Sequence, residues 1–576
     1  MGFKNSNYPL YIFISAFILK LFIFLAITSP IYFSKYPFFA EHLAHGRDIG
    51  ERILDLSPFY LYFTVLIYKI YGPDWEAIKI IQIFLGSINC ILIYFIGTRF
   101  FDRRVGILAS CLLLAYGNLT LFELTLEPVT WVIFFNSLII LLLGKLSQEG
   151  VSSSKHRYLT FLLVGFLTGA GIITKPNLLL FLPLGVTWIW LTFCHKVAKR
   201  QVVSFILLFL TGATMTISPI TIRNYIKFND FIIVTADAGK VFYHGNGPGA
   251  TVFHWADLPD KGLFEEHQPE PDYGHVLFRK EARRIKGSDL KPSQCSFFWL
   301  NRTLAYISRD LLSYGRLLLK KLLFFWHDYE IHYLASTYSY YKKIQSWPFL
   351  GYGLLSSLSI LGLILSIGRW KKLALLYLII LVYLLTGLVF TPASRYRLPA
   401  VPSMVIFASY SLLWLVNQSR KKRKREVLLT ILGLFFIFSL TRFTYKTEIV
   451  SLDKWQTATK IHYQMRGKLL FNRGLYQEAI REFEKAVTME PDFAPAYDKL
   501  GVSHAILGHY DQAERYLRRF ISLAPNVDRG YQNLAILYEL KGDYEEAKRL
   551  FKKTLTMNPH NQKAKRHLKK IESLAP

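Results

Sequence analysis

The sequence predicts a mainly α protein in two parts: a polytopic helical membrane portion of about eleven spans, followed by a C-terminal α-solenoid. Three observations predict it. Apolar residues make up 52% of the 576 positions and aromatics 16%, against 19% charged; disordered, collagenous and small disulfide-rich chains have other balances. The positive charge of the apolar portion sits in short clusters between greasy runs. The last 126 residues instead repeat at a fixed period of 34.

The greasy runs fall near 9–29, 76–98, 105–122, 129–144, 158–174, 177–194, 202–219, 347–368, 373–391, 398–416 and 427–443. A bilayer asks about 20 residues of each, and several here are slightly shorter. The first is longer than a signal-peptide core and no small-x-small cleavage pattern follows it, so it is expected to stay as an anchor.

Charge gives the orientation. Lys4, Arg99, Arg103, Arg104, Lys145, Lys155, Arg157, Lys196, Lys199, Arg200, Arg369, Lys371, Lys372 and the run from Arg420 to Arg425 fall on one side, 19 charges in all. Positive short loops stay cytoplasmic, so the N-terminus is expected inside. Residues 451–576 hold 22 Lys or Arg against 15 Asp or Glu, a net of +7 that leaves +22 of the chain's +29 for the membrane portion. The basic balance therefore reads as topology, and nucleic acid is not expected as a partner.

This reading divides the chain into an N-terminal transmembrane module, 1–223, with its first external loop at 30–75, an extracytoplasmic loop domain at 224–346, a second transmembrane module at 347–445 and a repeat domain at 455–576. The location expected is a cell membrane, the inner one of a bacterial envelope, with the repeats outside the cytoplasm. Cys90, Cys111 and Cys194 fall in runs and only Cys295 in an external segment, so no internal disulfide is expected there.

In the repeats Pro491, Pro525 and Pro559 recur, as do Gly474, Gly508 and Gly542, Tyr476, Tyr510 and Tyr544, and Ala479, Ala513 and Ala547. The small residue lets two antiparallel helices approach, the Gly opens the turn between them and the Pro stops the second helix. This pattern resembles the tetratricopeptide repeat: three repeats from about 460 to 562 and a basic capping helix, with Phe520 and Thr554 departing from the small residue expected there. Such repeats imply a protein or peptide partner.

Chemistry is sought in the external segments. In the first loop Asp48, Glu51 and Asp55 are spaced i, i+3, i+7 and share a face if the stretch is helical. Crowded carboxylates raise one pKa toward that of a useful base, while pairing with Arg47 and Arg52 on a solvated face is the alternative. Glu123 and Glu127 stand four apart at a span boundary, where an acid marks a site or snorkels to water. Lys175, Arg223, Arg395 and Arg397 are cations on the side where positive charge is disfavoured, and a guanidinium fork suits phosphate. Gly245 to Gly249 lacks the Lys-Ser/Thr of a phosphate loop and reads as a turn, and the spacing of His327, Asp328, Glu330 and His332 matches no zinc signature. No metal is expected, and no cofactor is certain.

Ser57-Pro58-Phe59-Tyr60, Arg103-Arg104-Val105-Gly106-Ile107-Leu108-Ala109, Lys175-Pro176-Asn177 and Ser394-Arg395-Tyr396-Arg397-Leu398-Pro399, in this order among the spans, resemble family-39 glycosyltransferases, the protein-mannosyltransferase-like branch of the GT-C superfamily. Phe242 to Thr251 and Trp326 to Ile331 are similar to a bacterial subgroup ending in tetratricopeptide repeats. The resemblance implies transfer of a sugar from a polyprenyl-phosphate donor, itself a membrane lipid, to a hydroxyl on lipid, glycan or protein. It implies a base in the first external loop; Tyr32 stands where the family has an acid, which leaves Asp48, Glu51, Asp55 or Glu123 as substitutes. Arg395 and Arg397 would hold the donor phosphate, with Lys175 and Arg223 as further candidates. The other reading is a non-catalytic membrane scaffold whose repeats recruit envelope proteins.

Overall fold

The structure, a computed structural model, describes residues 7–26, 35–148, 154–253, 256, 273–331, 349–443, 463–464, 467–468, 470–471, 474–559 and 561–574, and every regular element among them is helical. The chain forms two compact units, one within residues 1–450 and one from residue 451 on. Tyr32 and His332 lie outside the described residues.

Among the described residues of the first unit eight helices are long and apolar enough to cross a membrane, or nine if Arg103–Ala115 and Gly117–Leu124, bent by 58°, make one span. The two other runs of the eleven are also helical. Tyr352–Leu365 has only 14 residues, because Gly351 is extended and caps the helix later than the apolar run begins. Lys424–Phe443 has 20, with Lys424, Arg425, Glu426 and Arg442 near its ends.

Helix starts follow local chemistry. The Asp74 carboxylate accepts from the Glu76 amide at 2.8 Å and that of Asp102 from the Val105 amide at 3.0 Å, which satisfies donors the helix leaves open. Close helix pairs rest on glycine: a methyl on Gly165 would meet the Phe209 carbonyl at 2.0 Å and one on Gly212 the Leu162 carbonyl at 2.2 Å. In lipid, where burial drives association weakly, such backbone approach supplies the packing.

The described residues of the 224–346 segment belong to this unit. Its helices Ala238–Asn246, Tyr273–Lys286 and Pro292–Ile307 close around Tyr243, Leu277, Phe278, Ala282, Cys295 and Trp299. The indole of Trp299 donates to the Phe278 carbonyl at 2.9 Å, so its one polar atom is satisfied in the core. Gly245 ends against the Phe390 carbonyl, where a methyl would stand 2.0 Å away.

The second unit carries Tyr476–Met489, Ala494–Ile506, Tyr510–Leu523, Asp528–Lys541, Tyr544–Met557 and Gln562–Leu574. Gly474, Gly508 and Gly542 have φ of 78°, 79° and 83°, a region glycine enters at no steric cost. Ala479, Ala513 and Ala547 are fully buried. The two departures are absorbed: Phe520 fills the core, and Thr554 is buried with its hydroxyl donating to the Leu550 carbonyl at 2.9 Å.

Candidate functional site

The first-loop carboxylates do not share a helical face. Residues Gly50–Asp55 form a 3-10 helix, which has about three residues per turn, and Asp48 precedes it. Each acid meets at least one cation, and Asp55 and Glu51 share Arg279. Asp55, buried, accepts from both terminal nitrogens of Arg279 at 2.6 and 2.7 Å. Glu51 pairs with Arg279 at 3.0 Å and with Arg283 at 2.8 Å. Burial disfavours the Arg279 charge, yet the hydrogen bond and charge of Asp55, with Asp237 and Glu51, outweigh it and hold the guanidinium above its ordinary range. Asp48 pairs with Lys227 at an exposed position, and that hydrogen bond holds its carboxyl below the usual range.

Glu123 is buried in an ion pair with Lys20 at 2.6 Å. Arg397 is buried too: its guanidinium donates to the carbonyls of Phe324, Phe325, His327 and Tyr329 at 2.8 to 3.3 Å and lies 4.2 Å from the Tyr352 ring centroid. It ties the 324–329 backbone together. Arg223 donates to the Tyr62 hydroxyl at 3.0 Å.

Lys175 and Arg395 do come together. Lys175 lies 4.9 Å and Arg395 5.2 Å from the centroid of the Tyr396 ring, and Arg395 hydrogen-bonds to Tyr396. Lys175 occupies the break between Ser154–Thr174 and the 3-10 turn Pro176–Leu180; Arg395 and Tyr396 belong to the short turn Ser394–Arg397. Burial pulls the Lys175 ammonium below its ordinary range, opposed by Tyr396, and the neighbouring charges of Arg395, Glu127 and Lys35 act on it as well.

Glu127, partly exposed, is the acid of this cluster. It acts on Lys175, Tyr396, Tyr36 and Tyr60. Burial and then the Glu127 charge push the Tyr36 phenol up to about 12. Lys35 and Tyr36 open the helix Lys35–Ala44; the Lys35 ammonium donates to the Asp55 carbonyl at 2.7 Å, and the Tyr36 hydroxyl accepts from the Ser57 amide at 3.2 Å. The Tyr36 and Tyr60 rings meet edge to face at 4.9 Å. Separate segments of chain thus bring Lys35, Arg395 and Glu127 within electrostatic reach of Lys175. Such a set can bind an anionic oxygen and accept a proton beside it. Within the Glu123/Glu127 pair the family resemblance pointed to Glu123; the bend at the extended Thr125 that follows Gly117–Leu124 sends the two side chains to different surroundings. Lys35 and Tyr396 carried no signal beyond their nearness to candidate residues.

Glu330 forms a second buried grouping. It accepts hydrogen bonds from Tyr116 and Asn118 at the break of the bent helix pair, and burial pushes its carboxyl from 4.5 up to about 7 despite the nearby Arg397 charge. His327 stacks on Phe324, and no group of three or more His, Cys, Asp or Glu able to hold a metal occurs among the described residues.

Residues 55–222 match the family model described as dolichyl-phosphate-mannose-protein mannosyltransferase, and 463–493, 494–527 and 528–561 match tetratricopeptide-repeat models. None of the curated protein sequences compared with the chain matches it. Among solved structures, the archaeal oligosaccharyltransferase AglB from Archaeoglobus fulgidus, in complex with an inhibitory peptide and a dolichol-phosphate, is 12% identical over 79% of this chain and 56% of its own, with a TM-score of 0.45. ArnT from Cupriavidus metallidurans bound to undecaprenyl phosphate is 13% identical over 72% of this chain and 80% of its own, with a TM-score of 0.33. The first repeat domain of Spaghetti (RPAP3) bound to an HSP90 peptide is 23% identical over 20% of this chain and 94% of its own, with a TM-score of 0.20. Fold and repeats define a multi-pass helical membrane protein with C-terminal tetratricopeptide repeats. Its 55–222 segment is similar to membrane mannosyltransferases and contains Ser57 to Tyr60, Arg103 to Ala109 and Lys175 to Asn177.

Proposed function

We propose that the protein is an integral-membrane glycosyltransferase that moves a sugar from a polyprenyl-phosphate donor to a hydroxyl of a lipid, glycan or protein on the extracytoplasmic face. The observation that carries this reading is the gathering of Glu127, Lys35, Lys175 and Arg395 at one place, in a unit whose 55–222 segment matches the mannosyltransferase model. The acceptor oxygen forms a bond to the anomeric carbon while the carbon–oxygen bond to phosphate breaks, and the phosphate leaves with the electron pair. Lys175 and Arg395, joined by Lys35, stabilise the charge that grows on the leaving phosphate. Glu127 takes the hydroxyl proton. Asp55 and Glu51, bound to Arg279, hold the first loop to the helix Tyr273–Lys286. In this reading the membrane is the inner one of a bacterial envelope, the N-terminus faces the cytoplasm, and the external repeats hold a protein or peptide partner.

The pairing of Asp48, Glu51, Asp55 and Glu123 with cations favours the second reading, a scaffold without a base. Sugar loss from a polyprenyl-phosphate donor separates the two. Glu127→Gln should lower turnover by about 10²- to 10⁴-fold, the usual worth of a positioned base, with the protein still inserted. Undiminished turnover in Glu127→Gln would refute the base assignment, and no turnover in the wild type with any acceptor class would favour the scaffold.

A further inference from the structure

Lys20 and Glu123 are each only 1% exposed. Lys20 belongs to the helix Tyr8–Ala26, which buries Ala16, Lys20 and Ile23 and leaves Ile14, Ile18, Phe22 and Leu25 exposed. Glu123 lies near the end of Gly117–Leu124. Its carboxylate has room because residue 86 is glycine: a methyl there would stand 2.1 Å from Oε1. A pair of charges among apolar spans stabilises a fold no better than apolar residues of the same size would, so stability alone does not account for it.

The pair fixes geometry. The backbone carbonyls of Glu123 and Thr125 each accept from the Gln82 side chain at 2.7 Å. The Gln82 oxygen in turn accepts from the Tyr60 hydroxyl at 2.7 Å, and Tyr60 packs on Tyr36. Lys20 on the side chain and Gln82 on the backbone therefore grip the bend at Thr125, where Gly117–Leu124 ends, from two directions, and Glu127 follows Thr125 by two residues.

We propose that Lys20 and Glu123 act as positioning residues, an intramembrane latch that docks the first helix and sets the bend presenting Glu127, and that Glu123 does not touch substrate. The proposal rests on the reading of Glu127 as the proton acceptor. Displacement of a reacting group by about 1 Å can lower turnover about 10²-fold without weakening donor binding.

The full-length protein in nanodiscs carries the test. Lys20→Met should lower kcat by roughly 10²-fold with KM for the donor unchanged, Lys20→Arg should recover most of the loss, and the exchanged pair Lys20→Glu with Glu123→Lys should exceed either single exchange. A second readout needs no activity: a cysteine placed at 127, with the four native cysteines replaced, is titrated with a methanethiosulfonate. Its modification rate should change at least about fivefold when Lys20→Met is added, since the local environment of the bend changes. Wild-type kcat and an unchanged cysteine rate in Lys20→Met would overturn the latch. An active Glu127→Gln with a changed cysteine rate would overturn only the role of Glu127.

Discussion

The acids at 48–55 and the acid at 127 have different surroundings. Asp55 and Glu51 are bound by Arg279 and Arg283, and Asp48 by Lys227, so each carboxylate is matched by a donor within hydrogen-bonding distance. Glu127 stays partly exposed and shares its neighbourhood with cations that also surround Tyr396. A carboxylate held by a guanidinium is a structural part of a loop; one that lies partly exposed within electrostatic reach of several cations carries the site proposed above. Closeness in sequence does not distinguish the two.

The contrast can be broken by exchange at each place. The largest effect on stability is expected at Asp55→Asn, which removes the bidentate, buried partner of Arg279 and leaves it the ion pair with Glu51; about 3 kcal/mol of stability should be lost, read as thermal unfolding in detergent. The same measurement on Glu127→Gln should show little change, and an equal loss there would mean that Glu127 is also a structural acid.

Glu330 sharpens the comparison, because its hydrogen-bond donors, Tyr116 and Asn118, are neutral. Its carboxyl rises from 4.5 to about 7 in the folded chain. The folded state therefore holds the proton longer, so this group's contribution is fully present below pH 4.5 and is lost as pH rises through 7. Glu330→Gln removes that loss: its melting temperature should equal the wild type near pH 4.5 and exceed it at pH 8, by the equivalent of up to about 3 kcal/mol. A smaller effect is expected in the repeats, where Gly508→Ala at φ 79° should destabilise by about 1 kcal/mol, seen in unfolding of the full chain. Least of all, Asp48→Asn should change stability by less than about 0.5 kcal/mol, since that ion pair is exposed to solvent.

Much of the architecture was legible without coordinates. Each of the eleven apolar runs contains a helix among the described residues, and the repeat columns at Gly474, Gly508 and Gly542 have the backbone expected of them. Both signals are local: burial in lipid acts on every residue of a run, and a turn glycine answers to its own φ. The site was legible only in pieces. Lys175 and Arg395 were among the candidates, but Arg397, two residues from Arg395, turns inward to four carbonyls. The end of Gly117–Leu124 at an extended Thr125 and the room beside Gly86 direct Glu123 to Lys20, 103 residues away, and leave Glu127 for the cluster.

The sequence by itself determined which apolar stretches are helical and how the repeats are phased, because each follows from neighbours along the chain. Tertiary structure alone decided which acid meets which cation. That choice depends on distances between segments far apart in the chain, and near a low-dielectric interior a few ångströms separate a bound structural ion pair from a carboxylate available for chemistry.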